Sequence, residues 1–189
     1  MHVLRQLALS TVLVAVWACS SPRSDRQPPN LTVANTDTLL RKMDDGWRYN
    51  GQPFSGYMVE KEINGRIVYK LPIIDGYENG LAIGWYTTGE KLLERLFIEG
   101  KKEDTFRQWW PNGKLRYVFR FHDDQYHGSQ FVYFPSGRKR EESTYQNGEK
   151  EGLQRAWNET GQLVSNYTVR NGRTYGIVSV ESCMPVSHL

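Results

Sequence analysis

The chain has 189 residues, 24 Lys and Arg against 21 Asp and Glu, a net charge of +3, 13% aromatic residues, 17 glycines and 2 cysteines. No basic cluster concentrates that charge into a nucleic-acid surface, because the densest group, Arg138 to Arg140, is followed at once by Glu141 and Glu142. Two cysteines, Cys19 and Cys183, one at each end of the chain, are too few for a disulfide framework.

His2 and Arg5 precede an apolar run from Leu7 to Ala18. It is too short to cross a bilayer as a helix but suits the core of a secretory signal, so residues 1–18 are expected to be a signal peptide. Val16, Trp17, Ala18 and Cys19, followed by Ser20 and Ser21, resemble a bacterial lipobox, with Trp17 standing where a small residue is usual. That resemblance implies cleavage before Cys19 and diacylglycerol on its thiol. With Ser20 in place of an aspartate, it also implies sorting to the outer membrane of a Gram-negative cell, facing the periplasm or the cell surface. An ordinary signal peptide with a coincidental cysteine is the alternative. Acyl chains on Cys19 would contribute about 0.8 kcal/mol per buried methylene, an anchor that needs no transmembrane helix. Processing removes Arg5 from the 24 basic residues and leaves 23 against 21 acidic ones, a net of +2.

Residues 19–35 comprise the lipidated cysteine and a segment rich in serine, proline and asparagine, with Pro22, Pro28 and Pro29 excluding a helix. This reads as a flexible tether that would reach on the order of 50 Å when extended. Residues 36–55 read as an N-terminal β cap. Asp45 and Gly46 form a hairpin signal between Thr38–Met43 and Trp47–Tyr49, and a short helix over Asp37–Asp44 is the alternative. A repeat array needs such a cap because its terminal strand is otherwise an open edge.

Residues 56–181 read as that array. Gly56, Gly80, Gly128, Gly152 and Gly176 lie on one 24-residue phase, with Asp104 in the missing slot. Gly65, Gly89, Gly113, Gly137 and Gly161 form a second register, and Gly76, Gly100, Gly148 and Gly172 a third, in which Asp124 stands in once. Self-similarity at such a period marks a repeat architecture. Within each copy the residue types predict a hairpin. The clearest runs from Phe106 to Trp110, through the turn Pro111-Asn112-Gly113-Lys114, into Leu115–Phe121. Broader glycine-punctuated connections, Gln146–Gly152 and Arg170–Gly176, join one hairpin to the next, so every strand returns antiparallel to its neighbour. A last strand is expected at Ile177–Glu181, and residues 182–189 leave the pattern as a frayed tail.

Alternation along each strand predicts a two-faced sheet. One face carries a column of Trp85, Trp109, Tyr133 and Trp157 beside a second column of Ile73, Phe97, Phe121, Tyr145 and Val169. The other carries Glu60, Gln108, Arg116, Arg140, Glu142 and Gln154, with Tyr86, Trp110 and Phe134.

These residues together, a glycine, an aromatic pair, Asn-Gly or its like, then an aromatic and a further glycine, resemble the MORN repeat, in the bacterial variant found in YwqK-type proteins that carry an antitoxin label. Pro53-Phe54-Ser55-Gly56 is similar to the motif that opens such arrays. The resemblance covers Tyr49 to Gly176. It implies an all-β fold, an elongated single-layer antiparallel β-meander of 24-residue hairpin repeats, serving as a protein or membrane scaffold.

For chemistry, His122, Asp123, Asp124 and His127 are the best cluster for a metal or a base and its orienting partner. Asp is also among the few residues that tolerate a left-handed turn position, which makes Asp104 and Asp124 plain turn residues. No third imidazole completes a zinc site, and no nucleophile elbow, phosphate loop or CxxC motif occurs, so no catalytic residue, metal or cofactor is assigned. The aromatic column Trp85, Trp109, Tyr133 and Trp157 is either a stacking platform for sugar rings or a partner's apolar surface, or the fold's own packing ladder. Arg107, Arg155 and the loop from His122 to His127 break the repeat and are the candidates for specificity. The expected function is therefore that of an envelope-anchored, non-enzymatic repeat scaffold. It would bind or organise another protein and meet the membrane through lipid on Cys19. Glycan, peptidoglycan or lipid-headgroup binding on the aromatic face and an antitoxin-like neutralising role are the alternatives, and no nucleic-acid partner is expected.

Overall fold

The computed structural model describes residues 26–177; the expected signal peptide at 1–18, Cys19, all of the expected last strand beyond Ile177 and the expected tail at 182–189 lie outside the described residues. Every regular element among them is a strand. The N-terminal part holds β1 (Thr32–Ala34), β2 (Leu40–Met43), β3 (Gly46–Tyr49) and β4 (Gln52–Pro53). The array follows as β5 (Gly56–Lys61), β6 (Ile67–Ile74), β7 (Tyr77–Glu78), β8 (Gly80–Trp85), β9 (Lys91–Ile98), β10 (Lys101–Trp109) and β11 (Leu115–His122). It continues as β12 (Gln125–Tyr126), β13 (Gly128–Tyr133), β14 (Lys139–Gln146), β15 (Glu149–Trp157), β16 (Leu163–Arg170) and β17 (Arg173–Ile177). Strands β5 to β17 form one open antiparallel meander in chain order, with β7 on β6 and β12 on β11, and β1 pairs its first edge. The all-β meander expected from the repeat is the observed fold.

Two turns punctuate each copy. At one end, Trp110 N–H donates to Lys114 O (2.8 Å) and Gly113 N–H to Trp110 O (2.9 Å), and the same pair of bonds closes the turns at Glu62–Arg66, Tyr86–Glu90, Phe134–Arg138 and Asn158–Gln162. At the other end, two successive residues both have positive φ: Asp75 (52°) and Gly76 (88°), Glu99 (49°) and Gly100 (83°), Asp123 (52°) and Asp124 (66°), Asn147 (50°) and Gly148 (84°), Asn171 (49°) and Gly172 (71°). Two left-handed residues in a row make the two-residue turn whose twist matches that of the flanking strands. The broad connections read at Gln146–Gly152 and Arg170–Gly176 are thus tight turns, and the strands resume at Glu149 and Arg173. Asp104 (φ 54°) also adopts the left-handed conformation its glycine slot demands.

Each of the five hairpins contains one bulge, at Glu60/Lys61, Gly84/Trp85, Gln108/Trp109, Val132/Tyr133 and Ala156/Trp157. In the second hairpin Trp85 pairs with Lys91 but Gly84 with Leu93, so Leu92 is an extra residue. A one-residue slip moves everything beyond it to the opposite face. The two aromatic columns expected on one face therefore lie on opposite faces. Phe97 pairs with Gly80 and shares its face with Ala82 and Gly84, whereas Trp85 points the other way. Glu142, opposite Arg155, likewise joins the Trp side, away from Gln154.

The core lies at the N-terminal end. The β2–β3–β4 sheet forms the expected hairpin cap, with a third strand, and the alternative helix over Asp37–Asp44 is not what forms. Leu40 and Phe54 from the cap, Val33 from β1, and Met58, Leu71, Ile73 and Ala82 from the array are all buried in one cluster, with Trp47, Tyr49, Tyr69 and Phe97 against it. All these array residues share the side of Ile73 and Phe97, which we term the capped face; the opposite side is the tryptophan face. Within the segment 19–35 expected as a tether, Thr32, Val33 and Ala34 are instead a strand that pairs parallel with Tyr57, Met58 and Val59. Burial of Val33 against Met58 explains that pairing, and it is the one exception to the antiparallel order.

Glu78 latches the cap to the array: its Oε1 accepts from Lys42 Nζ (2.7 Å) and Trp47 Nε1 (2.9 Å). Burial pushes its carboxyl up, but the bonds from Lys42 and Trp47 outweigh this and hold it below the usual carboxylate range. A folded-state pKa below the unfolded value gives stability that is fully present above the unfolded value, about 4.3, and is lost as pH falls through the folded one. Farther along, glutamine side chains mend gaps in the ladder. Buried Gln130 accepts from Arg120 N–H (2.7 Å) and donates to Arg120 O (3.0 Å), and buried Gln154 donates to Thr144 O (2.8 Å).

Two outcomes follow. Glu78→Gln should lower unfolding free energy at neutral pH by about 1–3 kcal/mol and flatten the loss of stability on acidification below about pH 4.3, both measurable by urea denaturation across pH. Gln130→Leu should cost about 1–3 kcal/mol, because the Arg120 amide and carbonyl lose their partner, and hydrogen exchange should speed up at the Arg120 amide.

Candidate binding faces

The tryptophan face is built by the residue that follows each bulge. Trp85, Trp109, Tyr133 and Trp157 sit opposite Lys91, Leu115, Lys139 and Leu163, and all four rings are partly buried. Lys91 Nζ lies 5.2 Å from the Trp109 ring centroid, and Lys139 Nζ lies 5.4 Å from that of Trp157 and 5.0 Å from that of Phe131. Each lysine also pairs with a carboxylate, Lys91 with Glu94 (3.1 Å) and Lys139 with Glu142 (3.0 Å). Arg107 completes the first group through Nη1 to Glu94 (3.1 Å). Arg155 stands opposite Glu142, 5.9 Å from the Trp157 ring, with its Nε buried and without a hydrogen-bond partner among the described residues. The structure thus brings the candidates Trp85, Trp109, Tyr133, Trp157, Arg107 and Arg155 onto one surface.

The candidates His122 and His127 are elsewhere. Their rings meet edge to face at 6.0 Å, but the neighbouring acids are engaged by other groups. Asp123 pairs with Lys101, which holds its carboxyl below the usual range, and Asp124 accepts from the Lys102 amide (2.9 Å). His122 Nδ1 lies 3.2 Å from Glu103 Oε2, while Glu103 Oε1 accepts from the Asp123 amide (2.8 Å). Among the described residues no three His, Cys, Asp or Glu side chains converge as a metal-binding group. Asp123 and Asp124 serve the turn.

The capped face carries a site that the reading of the sequence missed. Past the end of the cap, Phe106, Tyr117, Phe119, Phe121, Tyr126 and Tyr145 form one connected cluster, with ring centroids 4.8 to 6.1 Å apart along the chain of contacts. Arg95 lies over Phe106 (4.3 Å) and Phe121 (5.9 Å), and burial pushes its guanidinium below its ordinary value. Arg116 covers Trp110 (4.4 Å) and Tyr117 (4.9 Å). A groove lined by Phe119, Tyr126, Gln130, Val132, Glu141, Ser143 and Tyr145 opens beside the rings. Alternation of Tyr117, Phe119 and Phe121 on one strand was the available signal. Joining them to Phe106 and Tyr145 required knowing the bulges.

The described residues contain no helix long and apolar enough to cross a membrane. None of the curated proteins compared with it matches the chain. Residues 126–147 match the MORN repeat variant, a span that runs from Tyr126 in β12 through β13 and β14 to the left-handed Asn147. MORN repeats are in general units of protein- and membrane-binding scaffolds, and the matched segment contains one of five hairpins closed by the same turn bonds. The chain therefore carries a MORN repeat within an array of structurally equivalent copies.

Proposed function

We propose that this chain is a lipid-anchored, non-catalytic scaffold of the cell envelope that holds another protein on its capped face. The observation that carries the reading is the point at which the cap stops. Its hydrophobic cluster reaches Ala82 and Phe97, while of the six rings beyond, Phe106 is buried, Tyr126 is 36% exposed and the other four are partly exposed. Tyrosine, phenylalanine and arginine, with little lysine or glutamate, are the side chains that anchor protein interfaces. A sheet only one layer thick offers that surface without rearrangement. Lipid on Cys19 and the segment after it would hold the array at the membrane while leaving the face free to dock. The scaffold character of MORN repeats supports this reading.

The full chain in a Gram-negative host should incorporate labelled palmitate and fractionate with the outer membrane, and Cys19→Ala should abolish both. A photo-crosslinking residue replacing Tyr126 should capture one discrete protein, whereas the same residue at the fully exposed turn position Ile63 should not. Equal capture at both positions, or processing that does not depend on Cys19, contradicts the proposal.

A further inference from the structure

The tryptophan face repeats not every copy but every second copy. Lys91, Glu94, Arg107 and Trp109 recur 48 positions later, residue for residue, as Lys139, Glu142, Arg155 and Trp157. The copy between them places Leu115, Val118, Phe131 and Tyr133 at the same positions, and the copy before them Ile67, Lys70, Ile83 and Trp85. Each charged cluster has two cations and one carboxylate, so one positive charge is left over. In the first the carboxylate is shared by Lys91 and Arg107. In the second it is held by Lys139, and Arg155 pairs with no carboxylate among the described residues. Lys70 and Arg120 add positive charge on the same side, since Lys70 pairs with Ile83 and Arg120 alternates with Val118, while the one further carboxylate there beside the first cluster, Glu103 opposite Leu96, is held by His122 and the Asp123 amide.

Spacing defines what fits. Neighbouring strands lie about 4.8 Å apart, so the rings Trp85, Trp109, Tyr133 and Trp157, two strands apart, step by about 9.5 Å, and the two charged clusters, four strands apart, by about 19 Å. A ligand that uses this face throughout must itself be periodic. It must present flat, weakly polar surfaces at the ring step and negative charge at the cluster step. Most folded protein surfaces have no such period, a second copy of this chain would set its net positive clusters against these, and a lipid headgroup has no axial repeat. A disaccharide in an extended β-1,4-linked chain rises by about the ring step. Its sugar faces stack on aromatic rings, and uronic carboxylates suit the fork of an arginine.

We propose that the tryptophan face binds an extended acidic polysaccharide running across the strands, with sugars stacked on the ring column and carboxylates at the Arg107 and Arg155 clusters. Two clusters on one rigid sheet make the ligand bivalent, so affinity rises sharply once a chain reaches both. The site is independent of the protein-binding reading of the opposite face, and the two stand or fall separately.

The test is isothermal titration of the full chain in detergent micelles against β-1,4-linked polymannuronate oligomers of increasing length. A neutral β-1,4-glucan of matching length, poly-L-glutamate and phosphatidylglycerol vesicles serve as comparison probes. The expected result is a rise of at least about tenfold in affinity when the oligomer spans both clusters. The neutral glucan should bind more weakly by a similar factor. Arg155→Gln, at a partly exposed position, should cost about tenfold, and Trp157→Ala at least as much, with unchanged thermal melting confirming the fold. Equal binding of poly-L-glutamate or of the vesicles would reduce the face to a charged surface and overturn the proposal. So would a length-independent affinity, or an Arg155→Gln variant that binds polymannuronate as the parent does.

Discussion

One backbone hydrogen bond sets the step of the whole array. In four of the five two-residue turns the second residue donates its amide to a carbonyl 22 residues earlier: Gly76 to Phe54 of the cap (2.8 Å) and, in the preceding copy, Gly100 to Glu78 (2.8 Å), Asp124 to Lys102 (3.1 Å) and Gly148 to Tyr126 (2.9 Å). Only a left-handed residue at that place aims its N–H back along the array, which is why glycine, with aspartate once, holds the position. At the opposite end the turns also touch their successors. Trp110 Nε1 donates to Tyr133 O (3.2 Å), Asn112 Nδ2 to Pro135 O (2.8 Å) and Lys114 Nζ to Ser136 O (2.6 Å). Both rims are tied from copy to copy, and each copy leans only on its neighbours. Because the recurring bond on the left-handed rim joins main-chain atoms, the strand side chains are free to differ between copies.

The second constraint is the bulge. One extra residue per hairpin, always just after the turn, separates aromatic positions that a flat count would place together. The result is a sheet with two chemically distinct faces: a Tyr, Phe and Arg surface continuous with the core, and a Trp surface interleaved with Lys, Glu and Arg. A ribbon one layer thick keeps both within reach of solvent at once.

The repeat and its turns were legible because glycine and Asn-Gly have few other uses at strict intervals. The cap hairpin was legible for the same reason, through Asp45-Gly46. What hid the rest was geometry that leaves little mark on residue type. Val33 and its neighbours look like linker until Met58 is seen to bury Val33. Gln154 reads as a polar interruption and nothing marks Gln130, yet both complete the main-chain ladder. Nothing in Leu92, Arg116 or Arg140 announces an extra residue, so the facing of Phe97, Phe121 and Tyr145 could not be read from alternation. Arg107 and Arg155 stood out correctly as breaks in the 24-residue pattern, and the 48-residue relation between them became meaningful only when both were seen beside Glu94 and Glu142. The His122–His127 segment suggested chemistry by its composition, whereas its aspartates answer to left-handed φ values and to Lys101 and Lys102.

The account stands on the bulges, and cross-strand proton contacts in the matched hairpin measure them directly. Nuclear Overhauser effects should connect Val132 with Glu141, Phe131 with Glu142 and Gln130 with Ser143, while Tyr133 stays opposite Lys139. Contacts of Val132 with Arg140, Phe131 with Glu141 and Gln130 with Glu142 would mean an unbroken register. That result would return the two aromatic columns to one side and contradict the two-faced scaffold.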